Sequence, residues 1–283
     1  MAGFAEHLAR TSLRLRGYTT RLLPTSVGKV HVLEVEGRGR LPPLVLLHGL
    51  SSAGVHFLPM LSLLQRSVSR LIIPDLPGHG FSDTPSRLDA ASLQQGLFEA
   101  LDALVTRPSL VFGNSLGGYA AIRYALARPE RVRALLLASP GGAEMSEAEL
   151  MQLRARFRLS SHGEALEFID ALLATRSRLR HVYAWGLRHQ LRRSEVESVL
   201  QAISAEQLLA PADLGRLRAP LLLMWGQAER ILPSRHLAFF REHLPAHAEF
   251  HEPPGWGHSP FLDDAAALAR RMLQFAHDLE VGQ

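Results

Sequence analysis

Gly113-Asn114-Ser115-Leu116-Gly117-Gly118 decides how this chain is read. It is a G-x-S-x-G stretch directly after a short apolar run, Leu110–Phe112, and directly before a helical pattern over residues 117–127. A strand that turns sharply into a helix needs glycines, because a Cβ would block the close approach of the two elements. The serine at the centre is then held in a strained conformation, with its hydroxyl exposed at the helix N-terminus. The helix dipole and the free amide of Leu116 favour negative charge developing there. The bland alternative is a glycine-rich turn with an incidental serine, and the flanking strand and helix argue against it.

The same alternation extends along the chain. Val30–Val35 alternates as a strand does. Leu44–Leu47, Leu71–Ile73, Leu135–Ala138 and Leu221–Trp225 are short continuous apolar runs, as expected for strands covered on both faces, and Ala248–His251 is a weaker one. Helical patterns fall between them, near 54–66, 90–106, 234–243 and 263–279. This βαβα order predicts a doubly wound, mostly parallel sheet of the α/β class. From about Pro140 to Arg218 no strand-like run occurs. Leu150–Leu159, Glu164–Ala174, Leu179–Leu191 and Ser194–Leu209 read instead as an inserted set of helices, too long for a plain connection.

Two more loops follow strands. His48-Gly49-Leu50 ends the run at Leu47, and its glycine lets the loop fold over the serine and offer a second backbone donor, the amide of Leu50. His48 is expected to orient that loop rather than act chemically. Asp75-Leu76-Pro77-Gly78-His79-Gly80-Phe81-Ser82-Asp83 is a tight turn that Asp75 is expected to anchor by hydrogen bonds.

With these motifs in order, nearly the whole chain resembles the α/β-hydrolase family, in its serine esterase or lipase-like branch. The resemblance implies an α/β-hydrolase core over 1–139 and 219–283, with a helical cap over 140–218 inserted after the sixth strand. It also implies a catalytic triad in the chain order nucleophile, acid, histidine. Ser115 is the nucleophile, with Leu50 and Leu116 forming the oxyanion hole. His258, in Gly255-Trp256-Gly257-His258-Ser259-Pro260, stands where the family keeps its histidine. The family usually places G-x-x-D-x-x-x-P after the penultimate strand. Here Gly226-Gln227-Ala228-Glu229-Arg230-Ile231-Leu232-Pro233 puts Glu229 at the acid's position. Glutamate can orient and charge-stabilise an imidazolium as aspartate does. The alternatives are that Glu229 pairs with Arg230 or Arg235, and that Glu144, after the preceding strand, supplies the acid.

The resemblance implies an esterase acting on a small-molecule carboxylic ester with a small to medium acyl group, or on a monoacylglycerol-like substrate, without metal or organic cofactor. Serine at the elbow sets aside the branches that use aspartate there. A carbon–carbon bond hydrolase of ring-cleavage products stays open, since Asn114 before the serine and the W-G-x-x-x-R-x-x-P stretch from Trp225 are similar to that branch. A hydrolase-fold receptor, whose role is binding, stays open as well. Asn114, Met145, Tyr183 and Trp185 are taken as residues facing the substrate pocket, because apolar and aromatic cap residues commonly roof one.

Composition narrows the classes further. None of the 283 residues is cysteine, which excludes a disulfide framework, a thiolate metal site and a cysteine nucleophile. The isoelectric point is strongly basic, yet the net charge is only +4, and Lys29 is the sole lysine. Arginines that hardly titrate keep a small positive charge to high pH, so this is a weakly basic protein and no nucleic-acid partner is expected. Lysine scarcity points to a GC-rich bacterial genome and to the cytoplasm. No apolar run is long enough to span a bilayer, and no secretory signal pattern opens the chain. Residues 150–193 carry nine arginines against three acids, and residues 1–24 carry four against one. Phe4, Leu8 and Leu15 share one face of a short helix, read as a surface helix packed on the domain. A weak membrane-surface contact or a transit-like segment is the minority reading. Oligomeric state is not encoded in any pattern visible here.

Overall fold

The computed structural model describes residues 3–87, 89–191 and 194–282, and for residues 194–197 the backbone alone. The chain begins with α1 (Phe4–Leu15), followed by a hairpin of β1 (Thr19–Thr25) and β2 (Gly28–Glu36). The alternating part comprises β3 (Leu44–Leu47), α2 (Leu58–Ser67), β4 (Arg70–Pro74), α3 (Ala90–Leu104), β5 (Ser109–Ser115), α4 (Leu116–Ala127) and β6 (Val132–Pro140). Helices α5 (Glu147–Ala155), α6 (His162–Leu172), α7 (Arg180–Leu191), α8 (Ser194–Ala202) and the short α9 (Pro211–Gly215) precede β7 (Leu221–Met224). The chain closes with α10 (Ser234–His243), β8 (Ala248–His251), the short α11 (Pro260–Asp263) and α12 (Ala265–Val281).

The strands form one sheet in the order β1-β2-β4-β3-β5-β6-β7-β8. The β1–β2 and β2–β4 pairs are antiparallel and every later pair is parallel. Period-two alternation explains why these strands are apolar throughout. Leu44, Leu46, Phe112, Leu136 and Met224 face α2, α12 and Leu13 of α1. Val45, Leu47, Val111, Leu137 and Leu223 face α3, α4 and α10. A third, smaller core of Leu159, Phe168, Ile169, Leu173, Ala184 and Leu191 lies within the inserted helices and reaches the main body through Ile231 and Leu50.

Three sequence expectations are revised. Strand β1 escapes the alternation reading because it is an edge strand with no buried residue and with Pro24 next to its end, so it carries no apolar face. It is the strand that makes β6 the sixth. The inserted helices α5 and α6 start two to three residues earlier than their apolar patterns suggest, because capping boxes at Ser146/Glu149 and Ser161/Glu164 set their first turns. Helix α1 does form, but not on the expected face. It seats Glu6 and Leu13 inward, while Phe4, Leu8 and Leu15 are 81%, 56% and 86% exposed.

Candidate active site

Ser115 ends β5 and immediately precedes α4, with φ 55° and ψ −119°. A non-glycine residue in this region is strained and persists only where surrounding structure enforces it. The glycines enforce it here. A Cβ on Gly113 would come within 2.3 Å of the Gly117 carbonyl oxygen, and one on Gly117 within 2.2 Å of the Leu47 carbonyl oxygen. Leu116 is the first residue of α4, so its amide has no partner within the helix.

The loop after β3 lies over the serine. A Cβ on Gly49 would stand 3.2 Å from Ser115 Cβ, which brings the backbone of the Gly49–Leu50 segment against the turn. Buried His48 holds that segment. Its Nε2 accepts from the Leu76 amide at 3.0 Å, which leaves Nδ1 to donate to the Gly49 carbonyl at 2.8 Å. Burial, only partly offset by Asp75, lowers the His48 pKa to about 4, so the ring is a neutral brace. Asp75 anchors its own loop as expected, accepting from the amides of Gly54 and Phe81 at 2.6 and 2.9 Å and pairing with His31 Nδ1 at 2.9 Å. Ser51 and Ser139 join Ser115 as the non-glycine residues with positive φ among those described. They follow or end β3, β5 and β6, which are neighbours in the sheet, so the backbone strain is gathered at one stretch of its carboxyl edge.

The fold brings Glu229 and His258 together. Glu229 Oε2 lies 2.7 Å from His258 Nδ1. Its Oε1 accepts from the amides of Ile231 and Leu232 at 2.7 and 3.0 Å. Burial opposes ionisation of this carboxyl, but the His258 ring, the Ser139 hydroxyl and the Leu232 amide outweigh it and lower the pKa to about 2. Arg235 pairs with Glu149 and Arg230 donates to the Leu173 carbonyl, so neither takes Glu229 as its partner. Glu144 is exposed, and its carbonyl oxygen accepts from Arg235, so it is not brought to the histidine.

Other expectations for the pocket are redistributed. Asn114 is buried, and its side-chain amide donates to the carbonyls of Ala138 and His258 at 3.0 and 2.8 Å, which makes it a clamp between β6 and the histidine loop. Met145 packs with Leu150 and Leu208 in a small apolar cluster. Tyr183 and Trp185 turn outward, because the inward face of α7 is Ala184 and Leu191; Trp185 stacks on His189 instead of roofing a pocket. An apolar pocket lies between α3 and α4, lined by Leu76, Leu93, Leu97, Leu116, Tyr119 and Ile203, of which Leu116 directly follows Ser115 in the chain.

Two supporting residues carry no local signal in the sequence. Ser139, in β6, helps lower the Glu229 pKa from across the loop after β7. Asp263 accepts from the amides of Gly257 and Ala174 at 2.7 and 2.8 Å, tying the histidine loop to the inserted helices, and the His258 amide donates to Leu172 at 3.0 Å across the same seam.

Residues 44–271 match the model of the alpha/beta hydrolase family. Among curated relatives, a pimeloyl-[acyl-carrier protein] methyl ester esterase of Xanthomonas oryzae pv. oryzae is 31% identical over 86% of this chain and 97% of its own length. One of the same name from Nitrosomonas europaea is 34% identical over 81% of this chain and 94% of its own length. Among solved structures, a carboxylesterase from Bacillus subtilis superposes with a TM-score of 0.76 at 21% identity, covering 96% of both chains. A 2-hydroxy-6-oxo-6-phenylhexa-2,4-dienoate hydrolase from a Rhodococcus strain superposes with a TM-score of 0.79 at 22% identity, over 92% of this chain and 99% of its own.

Proposed function

The chain belongs to the alpha/beta hydrolase family, and from that premise we propose that it is a carboxylic ester hydrolase with Ser115 as nucleophile, His258 as base and acid, and Glu229 as the orienting carboxylate. The observation that carries this reading is the 2.7 Å contact between Glu229 Oε2 and His258 Nδ1. An ionised carboxylate only accepts hydrogen bonds, so it fixes the proton on Nδ1 and leaves the Nε2 lone pair free to act as a base.

The chemistry follows from those roles. His258 Nε2 takes the Ser115 hydroxyl proton as Oγ bonds to the ester carbonyl carbon. The amides of Leu50 and Leu116 donate to the resulting oxyanion. Collapse breaks the bond to the alkoxy oxygen, which leaves as the alcohol carrying the proton from His258. Water then attacks the acyl-enzyme, gives its proton to His258, and releases the carboxylic acid as Ser115 recovers its hydrogen.

For the substrate we propose a small to medium apolar acyl group, in a simple or monoacylglycerol-like ester. The apolar pocket between α3 and α4 supports this, since Leu116, the residue after Ser115, forms part of its mostly apolar wall. Relatives named as methyl ester esterases at 31–34% identity support an ester bond as the one cleaved. Asn114 donates its side-chain amide to two backbone carbonyls and lends no support to the carbon–carbon hydrolase reading. Residues 140–218 serve as a lid over the core of 1–139 and 219–283, a role supported by the contacts of Leu172 and Ala174 with the histidine loop. A fluorophosphonate probe tests the assignment. Wild-type protein is expected to be labelled on Ser115, and labelling on another residue, or of Ser115→Ala at the wild-type rate, overturns it.

A further inference from the structure

Two neighbouring helices turn their apolar residues away from the protein. In α1, Phe4, Leu8 and Leu15 are spaced so that they fall on one face, while the residues seated on the domain, Glu6 and Leu13, lie on the other. In α7, Val182 and Trp185 are 63% and 71% exposed, while Ala184 and Leu191 face inward. The helices touch: Gln190 Nε2 of α7 donates to Glu6 Oε1 of α1 at 2.7 Å. Leucine, phenylalanine and tryptophan left bare on two touching helices mark something that covers them.

Arginines dominate the charge around these residues, although Arg176 and Arg180 beside α7 pair with Asp170 of α6. Exposed Arg14 and Arg16 border the α1 stripe. Between Arg176 and Leu191 the chain carries Arg176, Arg178, Arg180 and Arg188 and no acid. Arg192 and Arg193, the last of the arginines counted in this region, lie outside the described residues. Apolar side chains rimmed by arginine match a bilayer interface, where the apolar groups enter the acyl boundary and the guanidinium groups meet anionic headgroups. No helix among the described residues is long and apolar enough to cross a membrane, so the contact would be peripheral.

We propose that α1 and α7 together form a docking surface for an anionic phospholipid membrane, entered by Phe4, Leu8 and Leu15 of one helix and Val182 and Trp185 of the other. Helix α7 packs on α6, whose Leu172 accepts the His258 amide, so the α7 part of the docked face belongs to the same inserted helices that border the candidate site.

The chain carries its own probe. Of its three tryptophans, Trp225 and Trp256 are buried at 4% exposure each, so a change in emission on binding reports Trp185. The full chain is mixed with vesicles of equal parts phosphatidylcholine and phosphatidylglycerol, and with vesicles of phosphatidylcholine alone. The expected result is a blue shift and co-sedimentation with the anionic vesicles, weakened severalfold by added salt. The combined variant Phe4→Ser/Leu8→Ser/Leu15→Ser is expected to lose at least about tenfold in vesicle affinity, with unchanged circular dichroism and unchanged hydrolysis of a water-soluble ester. No binding to anionic vesicles, or equal binding by wild type and variant, overturns the proposal. So does a wild-type dimer that ignores vesicles and dissociates in the variant, which would assign the face to a second copy of the chain. So does capture of an acidic protein in place of lipid.

Discussion

Asn114 Nδ2 donates to the carbonyl oxygen of His258 at 2.8 Å, and the same amide reaches Ala138 on the adjoining strand at 3.0 Å. The residue before the serine thereby holds the backbone of the histidine. Ser115 and His258 are far apart in sequence and come from separate loops, so their relative position depends on ties of this kind. The Asp263 contacts to Gly257 and Ala174 hold the same loop from its other side.

Asn114→Ala removes the hydrogen bonds to the carbonyls of Ala138 and His258. A loss of about 1–3 kcal/mol in stability is expected, read as a lower urea midpoint. The fall in kcat is expected to exceed the change in KM, because the histidine is displaced while the pocket is untouched. A change confined to KM would place Asn114 against substrate.

Glu229→Gln keeps the shape of the side chain but removes the anion and offers His258 the wrong hydrogen-bonding pattern. Turnover is expected to fall by about 10²–10⁴. Glu229→Asp, which keeps the charge, should recover part of it. An unaffected rate in the glutamine variant would move the acid's role elsewhere.

The same carboxyl sets a pH dependence of stability. Its folded pKa of about 2 lies below the unfolded value of 4.5. The stabilisation is therefore fully present above pH 4.5 and is lost as the pH falls toward about 2. It amounts to about 3 kcal/mol. Urea midpoints of wild type and Glu229→Gln should differ most near about pH 6 and converge only as the pH falls to about 2. A constant gap would mean that the carboxyl is not held ionised by its partners.

The pocket bounded by Leu116 predicts a change in acyl preference. Leu93→Trp or Ile203→Trp should fill it, shifting the best p-nitrophenyl ester toward shorter chains with hydrolysis of the acetate largely kept. An unchanged chain-length profile would place the acyl group elsewhere.

Much of the fold and part of the site can be read from the residues alone, for identifiable reasons. The buried parallel strands announce themselves as apolar runs because both faces are covered, whereas β1 is exposed on the sheet edge and leaves no pattern. Ser115 sits in a turn that only glycines permit, so its signal is local. Glu229 and His258 each follow a strand end in recognisable loops, and the fold places them 2.7 Å apart. Ser139 and Asp263 act across the sheet and across the seam with the inserted helices, so nothing near them in sequence reveals their partners. Tyr183 and Trp185 are misread for a physical reason too. An aromatic pair on a helix looks like a pocket roof until the small inward residues Ala184 and Leu191 show which side is packed. The stripe Phe4–Leu8–Leu15 repeats that lesson, since its spacing fixes a face but not whether protein or solvent meets it.

The central claim is that Ser115 attacks the ester carbon. Turnover of a short p-nitrophenyl ester by purified Ser115→Ala, with folding verified by circular dichroism, tests it most directly. The expected result is a loss of at least about 10⁴-fold in kcat with the fold intact. Wild-type turnover by the folded variant would contradict the account.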